Sequence, residues 1–335
     1  MNRPHGYAPT VTERGSVSAR KRAERLARRE AALAARASMS PPAPATARLR
    51  VATWNVNSLR VRLGALERFL VRAAPDVLCL QETKVPALAD AAVAMLAQHG
   101  YSAVHVGSRS YNGVAVAARH PIDDVVSSGD FGDEHLDREP RAVCCLVEAP
   151  VPLRVVSMYV PHGRAIGHWH YDYKLAFLDA LADRARGWLA VDPRLVVAGD
   201  VNIAPTDSDV FHPDAFVGSV HVTGPERDAL ARLLDAGLVD VDVAAWGPRA
   251  RRFTWWDHGI GYPRNLGMRL DLIAADHRLA ARLDTTWIDH VERSTSPASD
   301  HAALIADFHL TDDADRGRPA AEAVRPSAPG RRGPT

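Results

Sequence analysis

The sequence predicts a layered α/β domain, on three observations. Short apolar runs of strand length recur between residues 49 and 308, segments with helical spacing fall between them, and a strand, helix, strand unit opens the series. Leu49 to Asn55, L-R-V-A-T-W-N, has the branched and aromatic composition of a strand. Arg62 to Arg72 follows with Leu63, Leu66, Phe69 and Leu70 at helical spacing, and Val77 to Leu80 is a buried-strand run leading into Gln81 and Glu82.

Seven more strands are predicted at Ser102 to Val106, Val114 to Ala118, Ala142 to Val147, Leu153 to Tyr159, Leu195 to Ala198, Leu270 to Ala274 and Ala303 to Phe308. Helices are predicted over Ala89 to Gln98, Tyr173 to Trp188 and Glu226 to Ala236; Leu175, Leu178 and Leu181 form part of an apolar stripe in the second. Periodicity of this kind supports layers and leaves strand order open.

Length and composition agree. A chain of 335 residues, 47% hydrophobic, can bury a substantial core, and the patterned part fits one globular unit of roughly 250 residues. No apolar stretch approaches the length of a membrane span. Cys79, Cys144 and Cys145 lie in strand-like runs and form no C-x-x-C pair, so they read as buried reduced thiols of a cytosolic protein.

Charge is uneven along the chain. Residues 1–50 carry 11 Lys and Arg against 3 Asp and Glu, a surplus of +8, while the remainder carries 30 against 37. A mildly acidic body can grip a nucleic acid only through a local basic face. Arg60, Lys84, Arg109, Arg141, Arg164 and Lys174 are the candidates for that face, each with the alternative of a solvated surface cation.

Polar residues gather where predicted strands end. Asn55 and Asn57 close the first strand, Glu82 the second, and Gly199-Asp200-Val201-Asn202 follows the run Leu195 to Ala198; Ser299-Asp300-His301 precedes the last strand. Sites collect at such ends because the sheet fixes the backbone and the loops aim the side chains. Hydrolysis of a phosphodiester needs an activated water, neutralised phosphate oxygens and help for the leaving oxygen. Glu82 and Asn55 are oxygen donors suited to magnesium or manganese rather than zinc. Asp200 can orient and deprotonate water, Asn202 can donate to a nonbridging oxygen, and His301 can contact phosphate as a cation if a carboxylate holds its proton. Taken singly, each has a plainer alternative: Asn55 and Asn57 as helix caps, Glu82 as a surface charge, His301 as a loop hydrogen bonder, Asp200 as a turn residue. Asp207 reads as a turn residue.

The chain resembles the exodeoxyribonuclease III family of apurinic/apyrimidinic endonucleases, within the endonuclease/exonuclease/phosphatase superfamily. The resemblance rests on W-N-V-N-S-L-R from Trp54, L-Q-E-T-K from Leu80, Y-N-G-V-A-V from Tyr111 and Y-V-P-H-G from Tyr159. It continues through G-D-V-N-I-A-P-T-D from Gly199, F-T-W-W-D from Phe253, G-M-R-L-D-L from Gly267 and S-D-H-A from Ser299, in the family's order over residues 49–308. It implies two mixed β-sheets packed face to face with helices outside. It further implies magnesium-dependent cleavage of DNA 5′ to abasic sites, with 3′-to-5′ exonuclease and 3′-phosphatase capacity.

Residue by residue, the resemblance implies catalytic roles for Tyr159, Asp200, Asn202, Asp271 and His301, with Asp271 as the carboxylate that holds the imidazole. Asn55, Glu82, Asp200, Asn202, Asp300 and His301 are expected around the metal, magnesium or manganese in its place. Asn57, Arg60, Lys84, Asn112, Arg141, His162, Trp255, Met268 and Leu270 are expected against double-stranded DNA at abasic sites and 3′ ends. Trp255 aligns with the aromatic lining the abasic-sugar pocket, and Met268 and Leu270 flank it; Trp256 is expected in the core. Met268 and His162 depart from relatives that carry an aromatic, and Asn or Gln, at those places. A monomer in the cytoplasm, associated with the nucleoid, is the expected state. The competing readings are a superfamily enzyme acting on lipid, inositol or RNA phosphodiesters, and a non-catalytic DNA-binding scaffold.

Three segments are expected: a basic, Arg/Ala-rich arm with a Pro-rich linker over 1–48, a catalytic domain over 49–310 and a disordered tail over 311–335. The arm fits a DNA-binding extension or a transit peptide, and Met39 is read as the natural start.

Overall fold

The computed structural model describes residues 48–192 and 194–310, with Ala23 and Ala27 as isolated positions; the expected tail and, apart from Ala23, Ala27 and Arg48, the expected arm lie outside the described residues. The chain opens with β1 (Arg48–Asn55), α1 (Leu59–Ala73) and β2 (Val77–Gln81), then α2 (Asp90–Gln98), β3 (Ser102–Val106), β4 (Val114–Ala118) and β5 (Ile122–Ser127). It continues through β6 (Ala142–Val147), β7 (Leu153–Tyr159), α3 (Trp169–Val191), β8 (Leu195–Asp200), α4 (Gly224–Leu234) and β9 (Leu238–Asp240). After α5 (Val241–Trp246), the two-residue strands β10 (Trp255–Trp256) and β11 (Gly267–Met268) enclose α6 (Gly261–Arg264). The chain closes with β12 (Asp271–Asp276), α7 (His277–Ala280), β13 (Leu283–Asp289) and β14 (Ala303–His309).

Two six-stranded sheets result, ordered β13-β14-β1-β2-β4-β3 and β5-β6-β7-β8-β12-β9. Each contains one parallel pair, β1 with β2 and β7 with β8, flanked by antiparallel neighbours. Parallel neighbours need a crossover, and α1 and α3 supply it on the outer faces.

Alternation along each strand explains the layers. In β1, Leu49 and Val51 point between the sheets, with Val77 and Cys79 from β2 and Val155, Val196 and Ile273 from the other sheet. Ala52 and Trp54 point outward to Leu66, Phe69 and Leu70 of α1. On the opposite outer face Phe177, Leu178 and Leu181 of α3 cover Val156, Val197 and Leu272. Strands with both faces covered are apolar throughout, which is why their runs were visible in the sequence. Each such fully buried large apolar side chain contributes about 1.5–3 kcal/mol.

The predicted helices all form, with shifted ends. The helix expected over 173–188 starts at Trp169, because the side chain of His168 accepts the backbone N–H of His170 and caps it. Thr223 and Glu226 form a capping box that starts α4 at Gly224. The edge strands β5 and β13 were not anticipated. Both have polar faces, I-D-D-V-V-S and L-D-T-T-W-I-D, and edge strands carry one uncovered side that blunts the apolar pattern. Cys79, Cys144 and Cys145 are buried free thiols.

Candidate active site

Both parallel pairs end at the same edge of the sandwich. Register pairs Asn55 with Gln81 in one sheet and places Asp200 beside both Tyr159 and Asp271 in the other. Glu82 follows β2 directly, and Asp300 and His301 stand three and two residues before β14. Residues scattered over nearly 250 positions thus share one rim.

Asn55 is the bridge between sheets. Fully buried, its side-chain amide donates to Glu82 Oε1 at 2.9 Å and to Asp200 Oδ2 at 2.9 Å, and its Oδ1 accepts the backbone N–H of Asn57 at 3.0 Å. Asp200 Oδ1 takes the backbone N–H of Asn202 at 2.9 Å. His301 Nδ1 donates to Asp271 Oδ2 at 2.8 Å, while its Nε2 stands 3.5 Å from Asp200 Oδ2. Asp271 Oδ1 is buried without a hydrogen-bond partner among the described residues. Asn57 donates to Asp300 Oδ1 at 2.9 Å, and Trp255 Nε1 donates to Asp300 Oδ2 at 3.2 Å.

The electrostatics follow from that packing. Burial raises Asp200, with Asp271 and Glu82 adding to it against His301 and Asn55, and its carboxyl reaches about 7. Burial opposes charge on His301, yet the carboxylates of Asp271 and Asp200 outweigh it and lift the imidazole to about 10. Burial also works against Glu82 and Asp300, but Lys84 and Asn55 hold the first below its ordinary value, and His301 and Asn57 the second. Burial beside Glu82 and Asp200 raises Tyr159 well above the phenolic value, so its hydroxyl is a donor at neutral pH.

Several of these residues sit in left-handed backbone: Asn57 at φ 45°, Glu82 at 49°, Lys84 at 54°, Asn112 at 54° and Asn202 at 51°. Such conformations are disfavoured for side chains larger than glycine and persist where surroundings over-determine them, as at binding and catalytic sites.

The structure also relocates several sequence-predicted residues. Lys174, expected on a basic face, is fully buried and ion-paired with Glu226 at 2.5 Å. Arg141 is likewise covered: its Nε donates to Glu139 at 2.6 Å, its Nη1 donates to the Tyr159 carbonyl at 3.2 Å, and its guanidinium lies 4.8 Å from the Tyr159 ring centroid. Asn112 donates to the same Glu139 carboxylate at 3.0 Å. Met268 and Leu270 are buried with Ala204 and Val210, so they support the half-buried Trp255 from beneath instead of presenting a surface. His301 lies within the site with Nδ1 on Asp271 and Nε2 toward Asp200. Trp256 lies in the core between the sheets, and Asp207 is exposed and pairs with Arg227.

Arg60 and Arg109 remain exposed, and with Lys84 they line a cavity of about 440 Å³ together with Ser58, Val85, Pro86 and Ser110. Lys84 reaches from this cavity into the site, its ammonium 2.7 Å from Glu82 Oε2 and 2.5 Å from Asn57 Oδ1. A cation already rests on these oxygens, so the donor set attracts positive charge. Among the described residues no three His, Cys, Asp or Glu side chains form a closed metal cage. A carboxylate oxygen of Glu82 and the amide oxygen of Asn57 are donor types that magnesium accepts alongside the waters it keeps.

Four supporting residues carried no assigned role from the sequence. Ser299 Oγ donates to the Asn55 carbonyl at 2.7 Å, and Arg62 donates to the carbonyls of Asn57 and Ala298, each at 2.7 Å. Glu139 joins Arg141 to Asn112. His221, at the end of the loop after β8, faces His162 with Nε2 atoms 3.2 Å apart. Two of them carried a signal: Arg62 opens the predicted amphipathic helix, and Ser299 stands in the Ser-Asp-His motif.

Comparison with known proteins agrees with this geometry. A model of the endonuclease/exonuclease/phosphatase family matches residues 52–301. Exodeoxyribonuclease III of Haemophilus influenzae is 29% identical over 272 residues, 78% of this chain and 100% of the relative. Among solved structures, the 3′ phosphatase NExo from Neisseria bound to a product DNA hairpin superimposes with a TM-score of 0.73 at 32% identity, covering 78% of this chain and 99% of that one. An AP endonuclease from Archaeoglobus fulgidus gives 0.71 at 34% identity, covering 78% and 99%. Two mixed six-stranded sheets, a shared rim of Asn55, Glu82, Asp200, Asp271 and His301, and a match over most of the folded chain together place this protein in the endonuclease/exonuclease/phosphatase family.

Proposed function

We propose that the chain is a DNA repair phosphodiesterase of the exodeoxyribonuclease III kind, which cleaves 5′ to abasic sites and processes 3′ ends as exonuclease and phosphatase. One observation carries the reading: Asp200 lies within hydrogen-bond reach of Asn55 and Asn202 and 3.5 Å from His301, while Asn55 also binds Glu82. That arrangement sets a proton acceptor, phosphate donors and an anionic cation seat around one point.

Glu82 and Asn55, with Asp300 nearby, would hold a divalent cation; magnesium is proposed, with manganese able to replace it. When bound, the cation neutralises phosphate oxygens and assists the leaving oxygen. Asp200 accepts the proton of the attacking water, a role its raised pKa suits because a base tuned toward neutrality is both available and effective. His301, charged against Asp271, and the amide of Asn202 donate to the phosphate oxygens, where preorganised donors are worth most. Tyr159 offers its hydroxyl from the same rim. The ring of Trp255, supported by Met268 and Leu270, forms one wall for a sugar that has lost its base. Arg60, Lys84 and Arg109 contact backbone phosphates, with Asn57 and Asn112 positioned beside them. This basic cavity, more than any apolar groove, favours DNA over a lipid phosphodiester. A monomer acting in the cytoplasm, at the nucleoid, belongs with the proposal; among the described residues no helix is long and apolar enough to cross a membrane.

Nicking of a synthetic abasic duplex, and release of phosphate from a 3′-phosphorylated end, with and without EDTA, tests it. Metal-dependent turnover of either substrate is expected. Binding without cleavage would point to the scaffold alternative, and cleavage only of RNA or lipid phosphodiesters to the other.

A further inference from the structure

One buried charge stands where three segments of the rim meet. Lys174 in α3 is fully buried, and its ammonium donates to Glu226 Oε1 at 2.5 Å, to the Asn202 carbonyl at 2.7 Å and to the His162 carbonyl at 3.3 Å. An ammonium has three donors and no acceptor, so these contacts saturate it. The acceptors come from the loop after β8, the loop after β7 and the first turn of α4.

The histidines close the circuit. His221 Nδ1 donates to the same Asn202 carbonyl at 2.5 Å, which requires its proton on Nδ1. The backbone N–H of Arg164 donates to His162 Nδ1 at 3.1 Å, so His162 carries its proton on Nε2 and gives it to His221 Nε2 at 3.2 Å. Both lone pairs of the Asn202 carbonyl are therefore taken, one by Lys174 and one by His221. Asn202 is also bound through its side-chain amide to the Val160 carbonyl at 3.0 Å and through its N–H to Asp200. A residue at φ 51° needs such enclosure to stay in place.

Resting on the function proposed above, we propose that Lys174 is a positioning residue: its buried ammonium, balanced by Glu226, holds Asn202 and the His162 loop in register with Asp200. Lys174 touches no reacting atom. Its effect is transmitted through two carbonyls.

The alternative is that the ion pair serves stability alone, and the variants separate the two. Glu226 keeps three donors without Lys174, the N–H of His221 at 2.9 Å and the N–H and hydroxyl of Thr223 at 3.0 and 2.8 Å, so Lys174→Met is expected to fold. Lys174→Met should lower both the thermal midpoint and the single-turnover rate on an abasic or 3′-phosphorylated duplex. The rate loss should be on the order of 10- to 100-fold, the scale of a small misplacement of a reacting group. Affinity for the duplex should stay within about twofold. Adding Glu226→Gln removes the uncompensated carboxylate but sets one amide N–H against a donor of His221 or Thr223, so it should recover part of the midpoint while the rate stays low. Nitrogen-15 spectra of His162 and His221 should lose the complementary tautomer pattern in both variants. A rate that recovers together with the midpoint, a rate unchanged by Lys174→Met, or an unaltered tautomer pattern would each overturn the proposal. Absence of metal-dependent cleavage by the unaltered chain would instead defeat the function, with the tautomer spectra still deciding whether Lys174 sets the loop.

Discussion

Replacing Asp200 by Asn is the most direct test of the chemistry. The change is nearly isosteric, and the two contacts of the carboxylate decide its cost. Oδ1 accepts from the Asn202 N–H and Oδ2 from the Asn55 amide, each at 2.9 Å, and both partners are donors. An Asn amide offers one acceptor and one donor, so one contact becomes donor against donor, a loss of about 1–3 kcal/mol for the orphaned group. Against this, removing a buried negative charge relieves its desolvation and its repulsion with Asp271 and Glu82, while its attraction to His301 is lost. The net stability change should therefore be small. Turnover behaves differently, because an amide cannot take the proton of the attacking water. Loss of a general base costs about 10²- to 10⁴-fold, or about 3–5 kcal/mol of barrier. Single-turnover nicking of an abasic duplex at saturating magnesium should fall by at least about 10²-fold while fluorescence anisotropy shows retained DNA binding. A variant with near-normal turnover would remove Asp200 from its role and with it the proposed direction of attack.

Glu82→Gln should raise the magnesium concentration needed for half-maximal activity, because a ligand loses its charge; an unchanged requirement in a metal titration would move the cation seat elsewhere. Arg109→Ala, at the exposed wall of the basic cavity, should weaken binding of all duplex sequences alike and reduce the slope of log affinity against log salt by about one. A slope identical to that of the parent would make Arg109 a solvated cation. Leu270→Ala should cost about 2–4 kcal/mol in urea denaturation, since the side chain is buried beneath Trp255. A loss below about 1 kcal/mol would place Leu270 in a site that opens to solvent.

Much of the architecture was legible because covered strands leave long apolar runs: β1, β2, β4, β6, β7 and β8 were all visible as such. Asn55, Glu82 and Asp200 were legible for a related reason, polar residues closing those runs. The edge strands β5 and β13 were not, since one uncovered side admits Asp and Thr and breaks the pattern. Lys174 and Arg141 look like surface cations in one dimension, yet both are buried: Glu226 reaches Lys174 from a helix 52 residues on, and Arg141, beside its sequence neighbour Glu139, is covered by Tyr159. Met268 and Leu270 likewise became support for Trp255 only once Ala204 and Val210 were packed against them.

By itself the sequence determined which segments are strands buried on both faces and which polar side chains stand at their ends, since burial periodicity and local chemistry are written residue by residue. Tertiary structure alone decided that Asn55 spans two sheets, that His301 meets both Asp271 and Asp200, and that Lys174 ties two loops to the first turn of α4. Those contacts join residues 12 to 145 positions apart in the chain, and closing the longer distances depends on strand order and sheet packing, which no local pattern encodes.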